Sequence, residues 1–475
     1  MPLLLILVPL LGVVILNLPI GGLKKAFAFW FALCLFGAQI LIAVAHTYLP
    51  FSGAARIGSF LKADFLLDHL SLIILLCIGI VSITSLLVGR YTIHDDKERF
   101  KFINLLIIVS VGMCGIALVK DIFSLYIFLE ITAISSFLLI AFEKDIYALE
   151  GSFKYLILSA IATIMMLASI ALLFIASGGT SFAAIKEAAQ TPVNNIIALA
   201  IGLFVCGLLI KGGLVPFHAW VPDAYASAPA AVSVLLAGIV TKAAGVYTLL
   251  RVLTGVFGFE PAMKHVLLIT GALSILIGAL AAIGQNDMKR MLAYSSISQV
   301  GYIIIGFGTG TFLGIAGSVF HLFNHSIFKT LLFVNSAAVA TRLGTTDMDK
   351  MGGLASKMPV TGATSVIGAL SAAGIPPLGG FWSKLMIIVA LWQSGNHAYS
   401  VIAILAGVIT LAYLLVMQRK VFFGKLAKGY EDVEEARPGI AAASVILAAI
   451  IAASGIFFPF VFNTFLEPLQ ELFTK

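Results

Sequence analysis

Long blocks of apolar residues, separated by short polar segments, run through the whole chain. Most blocks are about 20 residues long, the length that an α-helix needs to cross the ~30 Å hydrocarbon core of a bilayer. The pattern therefore predicts an all-α polytopic membrane protein with about fourteen transmembrane helices. The predicted spans are 2–20, 26–48, 66–89, 102–119, 122–142, 154–177, 195–217, 228–250, 265–284, 292–308, 312–341, 359–394, 399–418 and 439–463.

The basic residues between the helices indicate their orientation. Eighteen Lys and Arg residues lie in the segments after odd-numbered spans, against seven on the opposite side. Because basic residues accumulate on the cytoplasmic side, we expect a plasma-membrane protein with both termini on the non-cytoplasmic side. This bias accounts for the net charge of +7 without a nucleic-acid partner.

Ionisable residues also occur inside the apolar spans, in a chain that is 61% hydrophobic and 11% charged. They are Glu130, Lys211, Lys242, Lys329 and Lys384. A lysine at the bilayer centre costs ~2.5–3.5 kcal/mol to insert, so such residues mark functional paths or specific pairs. Snorkelling to the headgroups is the alternative for each lysine, and a purely structural charge pair is the alternative for the glutamate.

The segment FHLFNHSIFKTLLF, residues 320–333, adds a stripe of titratable side chains to the eleventh span. His321, His325 and Lys329 are four residues apart, so they share one helix face at steps of about 6 Å. We interpret the stripe and the buried lysines as a proton relay at mid-membrane, linked by one or two waters. Polar residues of the tenth span are candidates for holding those waters or for bonding neighbouring helices: Ser295, Ser296, Ser298, Gln299 and Tyr302.

Two spans are interrupted by glycine and proline. The interruptions lie in LLIKGGLVPFHAWVPDA (208–224) and SAAGIPPLGGFWSKL (371–385). The residues that break the helices are Gly212, Gly213, Pro216, Pro376 and Pro377. Broken helices persist in a membrane where protein or water satisfies the freed backbone, and a matching pair indicates an inverted repeat. The alternative is two unrelated loops.

The interruptions fall in the seventh and twelfth spans, and an odd offset of five helices inverts one half relative to the other. The predicted organisation is an N-terminal three-helix segment (1–101), a first inverted repeat of helices 4–8 (102–253), a second of helices 9–13 (264–423), and a C-terminal helix 14 (438–475).

Four segments resemble the antiporter-like subunits of respiratory complex I (NADH-quinone oxidoreductase), membrane-bound hydrogenases and multi-subunit Mrp-type cation/proton antiporters. They are 211–251, 286–306, 320–333 and 372–384. The resemblance covers about helices 3 to 13 and implies an ion-translocating module of fourteen helices with inverted five-helix repeats. It also implies that Glu130 pairs with Lys211 and that Lys242 links the two half-channels.

The same resemblance places His218 at the histidine of a PFHxWxPDA turn and Lys384 at the terminal site of the twelfth helix. His321, His325 and Lys329 are similar to the family's eleventh-helix stripe. A further loop with Asp287, Lys289 and Arg290 is similar to a recurrent family loop, which we interpret as a solvated turn.

We expect an ion-translocating membrane subunit of a redox-driven complex, which moves protons through the Glu/Lys/His relay. The sequence shows no haem-attachment motif, P-loop or GxGxxG. We therefore expect no cofactor, metal or catalytic redox centre in this chain; Fe–S clusters, flavin or a NiFe centre would belong to partner subunits. The expected partners are other membrane subunits, including homologous antiporter-like ones, and peripheral redox subunits. The alternatives are an Mrp-type Na⁺/H⁺ antiporter subunit without a redox partner and a non-transporting scaffold for a peripheral enzyme.

Overall fold

The computed structural model describes residues 2–18, 24–48, 55–56, 64–189 and 195–471. Over these residues the chain is almost entirely helical, and ten of the helices are long and apolar enough to cross a membrane. Four further helices occupy the remaining predicted spans: Leu4–Asn17, Asn195–Lys211, Pro359–Ala373 and Phe312–Leu343. The polytopic all-α prediction is confirmed.

The helices are labelled by their position among the fourteen spans. They are α1 Leu4–Asn17, α2 Lys24–Tyr48, α3 His69–Thr92, α4 Asp96–Leu118, α5 Ile122–Ile140, α6 Ile146–Ser177, α7a Asn195–Lys211, α7b Trp220–Ser227, α8 Ala230–Phe257, α9 Pro261–Ile283, α10 Met288–Gly308, α11 Phe312–Leu343, α12a Pro359–Ala373, α12b Gly379–Gln393, α13 His397–Val421 and α14 Pro438–Ile456. A short helix, Phe182–Ala189, precedes α7a, and the two-residue strands Ala55–Arg56 and Asp64–Phe65 pair antiparallel. Short helical turns follow α14, from Phe458 to Gln470.

Several helices begin earlier than the hydrophobic pattern predicts, because an aspartate caps a polar first turn. Asp145 accepts hydrogen bonds from the amides of Tyr147 and Ala148, so α6 begins at Ile146 rather than at 154. Asp287 accepts from the amide of Arg290, so α10 begins at Met288 rather than at 292. A capping carboxylate satisfies amides that have no partner within the helix. The added turns contain charged residues, which hydropathy assigns to loops.

The two interrupted spans are separate helices at each break. Span 7, predicted as 195–217, ends at Lys211 and resumes as α7b, and span 12, predicted as 359–394, is divided between Ala373 and Gly379. All five predicted helix-breaking residues lie in or at these breaks. Span 8, predicted as 228–250, extends to Phe257 and includes three π-helical segments, Leu236–Val240, Lys242–Tyr247 and Leu253–Phe257.

Two halves of the chain repeat the same helix lengths. α6 and α11 have 32 residues each, and their ends differ by 166 in residue number (146 and 312, 177 and 343). Both end at a glycine in the left-handed region, Gly178 and Gly344, with φ of 68° and 70°. α4 and α9 have 23 residues each, with ends that differ by 165 (96 and 261, 118 and 283).

The connections of the two halves repeat as well. Asp121 caps α5 and accepts a hydrogen bond from Thr180 at 2.5 Å, and Asp287 caps α10 and accepts one from Thr346. A backbone bridge stands beside each pair, Asp121 to Ser181 and Asp287 to Asp347. Five helices separate the two connections, so they lie at opposite ends of the bundle and the repeat is inverted. The exact domain limits stay predictions, and residues 1 and 472–475 of the terminal segments lie outside the described residues.

The inner helices are those that carry polar residues. The apolar stretches of α8 and α10 are each 94% buried, whereas those of α6 and α2 are 28% and 33% buried. α11 is buried along most of its length. The outer helices therefore shield a central group of helices from lipid.

A buried row of ionisable residues

All four intramembrane lysines point into the protein. The exposed fractions are 6% for Lys211, 0% for Lys242 and Lys329, and 4% for Lys384. A snorkelling lysine keeps its ammonium group in water, which these fractions exclude. The side chains therefore lie where the relay hypothesis requires them.

Lys211 lies at the last residue of α7a and pairs with Glu130 on α5. Its Nζ is 3.1 Å from Glu130 Oε1 and donates to Ser159 Oγ of α6 at 3.2 Å. The same Glu130 oxygen accepts a hydrogen bond from Thr163 at 2.7 Å. The Glu130 side chain is 24% exposed, against 4% for Lys211, so one partner of this ion pair keeps access to its surroundings.

The α6 residues around this pair occupy the positions of the α11 stripe. Tyr155, Ser159 and Thr163 differ by 166 in residue number from the three stripe residues, as do the ends of the two helices. Sequence analysis did not select these three residues, because none of them is charged. The internal repeat is the signal that identifies them.

Lys242 lies in α8, between two π-helical segments, and donates to the carbonyl oxygen of Ala237 in its own helix. π-Helical turns occur frequently at functional sites. One turn further along, Gly245 packs directly on the backbone of Gly212, next to Lys211. Because a side chain at either glycine would separate the helices, this contact brings the end of α7a close to Lys242.

The histidines of α11 face each other along one helix face. The rings of His321 and His325 are nearly parallel, at an interplanar angle of 10°, with centroids 6.2 Å apart. His321 Nδ1 lies 2.9 Å from Ser383 Oγ of α12b. Lys329 donates to the carbonyl oxygen of Leu292 in α10 at 3.0 Å.

Lys384 ends the row on α12b. Its Nζ donates to the carbonyl oxygen of Ala372, at the end of α12a, at 2.7 Å. The same ammonium lies 4.4 Å from the ring centroid of Tyr302, a distance typical of a cation–π contact. The ring of Tyr302 also lies 5.8 Å from that of His321. The tyrosine thus bridges the α11 stripe and Lys384.

Several buried polar atoms along the row have no hydrogen-bond partner among the described residues. They include His321 Nε2, both ring nitrogens of His325, and Gln299 Oε1. Buried polar atoms in proteins are normally satisfied by protein groups or by ordered water. The surroundings of the stripe are therefore suited to hold water.

The three inner lysines lack acidic partners. Within the described ranges, no carboxylate oxygen lies within 4.0 Å of Lys242, Lys329 or Lys384. The charges of these lysines act on His325, and that of Lys384 also acts on His321. Groups that interact at this range respond to each other's protonation.

Comparison with known proteins identifies the family to which this arrangement belongs. Residues 119–410 match the transmembrane family described as NADH:quinone oxidoreductase/Mrp antiporter. The chain belongs to this family. The matched region contains all the ionisable residues of the row.

Relatives of both kinds named in that description are similar to this chain. The D component of the Na⁺/H⁺ antiporter of Alkalihalophilus pseudofirmus is 35% identical, over 75% of this chain and 73% of the relative. The N component of the NADH-quinone oxidoreductase of Granulibacter bethesdensis is 30% identical, over 96% and 95%.

Solved structures of large membrane complexes contain the same fold. A chain of the Mrp complex from Dietzia sp. superimposes with a TM-score of 0.92 at 23% identity, covering 99% of this chain and 97% of that one. A chain of the archaeal membrane-bound sulfane sulfur reductase gives 0.87 at 28%, with the same coverages. A chain of complex I from Thermus thermophilus gives 0.80 at 25%, covering 97% and 98%.

The family resemblance also selected His218, which the structure places apart from the row. The residue lies in the break between α7a and α7b, and its Nδ1 is buried without a hydrogen-bond partner in the described part of the chain. No hydrogen bond joins it to the seven other predicted site residues there. Its participation in transport stays a prediction.

The polar residues of α10 bond neighbouring helices, one of the two alternatives considered for them. Ser295 pairs with Tyr413 of α13 at 2.7 Å, Ser298 donates to Ile275 of α9 at 3.0 Å, and Tyr302 donates to Ala403 of α13 at 2.5 Å. Gln299 differs, since its Oε1 has no partner among the described atoms. It is the α10 residue best placed to bind water.

The interpretation of Asp287, Lys289 and Arg290 as a solvated turn is wrong. Asp287 caps α10, and Lys289 Nζ donates to the carbonyl oxygens of Ala226 and Ala228 at 3.1 and 2.6 Å. Arg290 forms an ion pair with Asp223 of α7b. The loop connects the second half of the protein to the first. Local sequence carries no sign of partners 60 to 70 residues away.

Arg251 is a second buried charge that sequence analysis assigned to a loop. It lies within α8, and its guanidinium pairs with Asp68, the N-cap of α3, at 2.5 and 2.8 Å. Tyr247 and Ser71 complete the hydrogen bonds of the guanidinium group. This network joins α8 to α3 at the end of the bundle opposite Asp223.

Proposed function

We propose that the chain translocates protons through the membrane as one subunit of a multi-subunit complex, and that the buried row carries them. The observation that carries this proposal is a continuous interior series of titratable groups, from the Glu130–Lys211 pair through Lys242 and the α11 stripe to Lys384. A non-transporting scaffold needs no such series, because buried unpaired lysines oppose stability.

In the proposed mechanism, the Glu130–Lys211 pair is an electrostatic switch. When a neighbouring subunit changes charge or position near the partly exposed Glu130, the 3.1 Å contact opens and Lys211 loses its counter-ion. Lys211 then gives its proton to Lys242, which passes it to the α11 stripe. Lys384 receives the proton at the far end, held between the Ala372 carbonyl and the Tyr302 ring.

The relatives support two energy sources, and we favour redox chemistry in partner subunits. Membrane subunits related to this chain, and peripheral redox subunits that bear the cofactors, are the proposed partners. The basic-residue bias supports a plasma-membrane location with both termini on the non-cytoplasmic side. The 35% identical Na⁺/H⁺ antiporter component supports a second candidate, exchange of Na⁺ for protons without redox chemistry. The row itself favours protons, since it holds amines and imidazoles, whereas Na⁺ prefers oxygen ligands.

Vesicles that contain the purified complex test the proposal through the variant Lys211→Ala. We expect assembly to be intact and coupled proton transport, measured with a pH-sensitive dye, to be lost. The control is Lys97→Ala, which removes an exposed lysine. Wild-type transport by Lys211→Ala would contradict the switch. Transport that stops in Na⁺-free buffer would favour the exchange of Na⁺.

A further inference from the structure

The two helix breaks have the same backbone geometry, displaced by 161 residues. Gly213 and Gly374 both have positive φ, 67° and 85°. The next amide in each break, of Leu214 and Ile375, donates to the carbonyl five residues earlier, at 3.1 and 3.0 Å. The register is therefore fixed by backbone hydrogen bonds.

In this register Asp223 of α7b is the counterpart of Lys384 of α12b, since 223 and 384 also differ by 161. Lys211, in contrast, corresponds to Ala372, whose carbonyl Lys384 contacts. Each half of the protein thus places an ionisable side chain at the same position after its break. The first half uses an acid where the second half uses a base.

Two basic side chains hold the Asp223 carboxylate. Lys154 Nζ of α6 lies 2.6 Å from Oδ2, and Arg290 Nη1 of α10 lies 2.7 Å from Oδ1. The carboxylate is 20% exposed, whereas the two bases are 42% and 41% exposed. Because Arg290 belongs to the second half, this clamp responds to movement between the halves.

Asp223 faces a polar cavity of about 1190 Å³ at the end of the bundle where α6 and α10 begin. The charged residues of its wall are Glu143, Asp145, Glu150, Lys154, Asp223 and Arg290. Four acids and two bases give the wall a net charge of −2, in a chain whose net charge is +7. A negative cavity concentrates cations, including hydronium, near its wall.

The cavity lies close to the Glu130–Lys211 switch. Lys154 and Ser159 are on the same helix, five residues and about 7.5 Å of rise apart, and Ser159 contacts Lys211. The rings of Tyr155 and Trp220 stand between them, with centroids 4.8 Å apart. A small movement of α7b would therefore connect or separate the cavity and the switch.

We propose that Asp223 is the ion-exchange residue through which the first half takes up protons from this cavity, which rests on the proposed function. When the clamp opens, the carboxylate accepts a proton from hydronium and leaves water. It then passes the proton to the neutral amine of Lys211, whose own proton has moved to Lys242. Lys154 and Arg290 are positioning residues that hold the carboxylate between cycles.

The test uses the assembled complex in vesicles. We expect Asp223→Asn to lower the transport rate by about 10²-fold, the scale of a lost proton-transfer group, and Asp223→Glu to recover most of the rate. The matched control is Asp349→Asn, which removes an exposed aspartate–lysine pair of the same 2.6 Å length. A wild-type rate for Asp223→Asn, or equal losses for the Asn and Glu variants, would overturn the proposal.

A second variant covers failure of Asp223→Asn to assemble. Ala340→Trp fills the wall of the cavity and keeps every charge, so we expect slower transport. Ala442→Trp, on an exposed face of α14, is its control. Equal rates in these two variants would overturn the proposal. If Lys211→Ala stops transport while Asp223→Asn does not, only this inference fails; if Lys211→Ala transports normally, the proposed function fails.

Discussion

The close contact between α7a and α8 allows the spacing of Lys211 and Lys242 to be changed without altering either lysine. A methyl group at Gly245 would overlap the Cα and N atoms of Gly212 and lie 3.0 Å from the carbonyl carbon of Lys211. Backbone atoms cannot rotate away as a side chain does. To restore ordinary carbon contacts of about 3.5–4.0 Å, the two helices must separate by roughly 1 Å.

We therefore expect Gly245→Ala to affect both stability and transport. Overpacking at a close contact costs about 1–3 kcal/mol, which lowers the melting temperature of the purified subunit. A displacement of about 1 Å between groups that exchange a proton lowers the rate by about 10²-fold. The loss of rate would exceed what the loss of stability explains, because folded protein still predominates at the assay temperature.

Gly255→Ala is the matched control. It makes the same chemical change in the same helix, but its nearest neighbour is the ring of Phe182, at an ordinary 3.8 Å. Thermal melting of both variants in detergent and proton transport in vesicles are the two measurements. Wild-type transport by Gly245→Ala, or an equal loss in Gly255→Ala, would refute the idea that this helix contact sets the distance between the lysines.

Two further predictions concern contacts of single side chains. Arg251→Gln leaves Asp68 without its cation and should destabilise the protein by about 3–5 kcal/mol, measured by thermal melting, whereas adding Asp68→Asn should restore part of the loss. Burial alone would raise the pKa of Asp68, but the Arg251 charge and hydrogen bonds hold it below 3.8, so the stabilisation is complete above that pH and is lost as the pH falls further; a stability that is independent of pH in this range would contradict this. Tyr302→Phe keeps the ring under Lys384 and should preserve transport, while Tyr302→Leu removes a contact of about 0.5–2 kcal/mol and should slow it; equal rates would exclude a role for the ring.

Much of the architecture follows from the sequence, because hydrocarbon imposes strict rules. Backbone groups and charges cannot remain unsatisfied in lipid, so apolar blocks predict helices, and interior lysines or glycine–proline breaks must be covered by protein. These rules identified the fourteen spans, the two breaks and the ionisable residues from Glu130 to Lys384. A spacing of four residues was enough to place the α11 stripe on one face.

The sequence alone did not identify the interactions between distant segments. Asp223 lies just beyond the predicted end of its span, and nothing local indicates that Lys154 and Arg290 would hold it. Tyr155, Ser159 and Thr163 are uncharged, so only superposition of the repeats reveals that they match the α11 stripe. Polar first turns also resemble loops until a capping aspartate is seen to satisfy their amides. Pairing across the bundle depends on the packing of whole helices, and only the tertiary structure decides it.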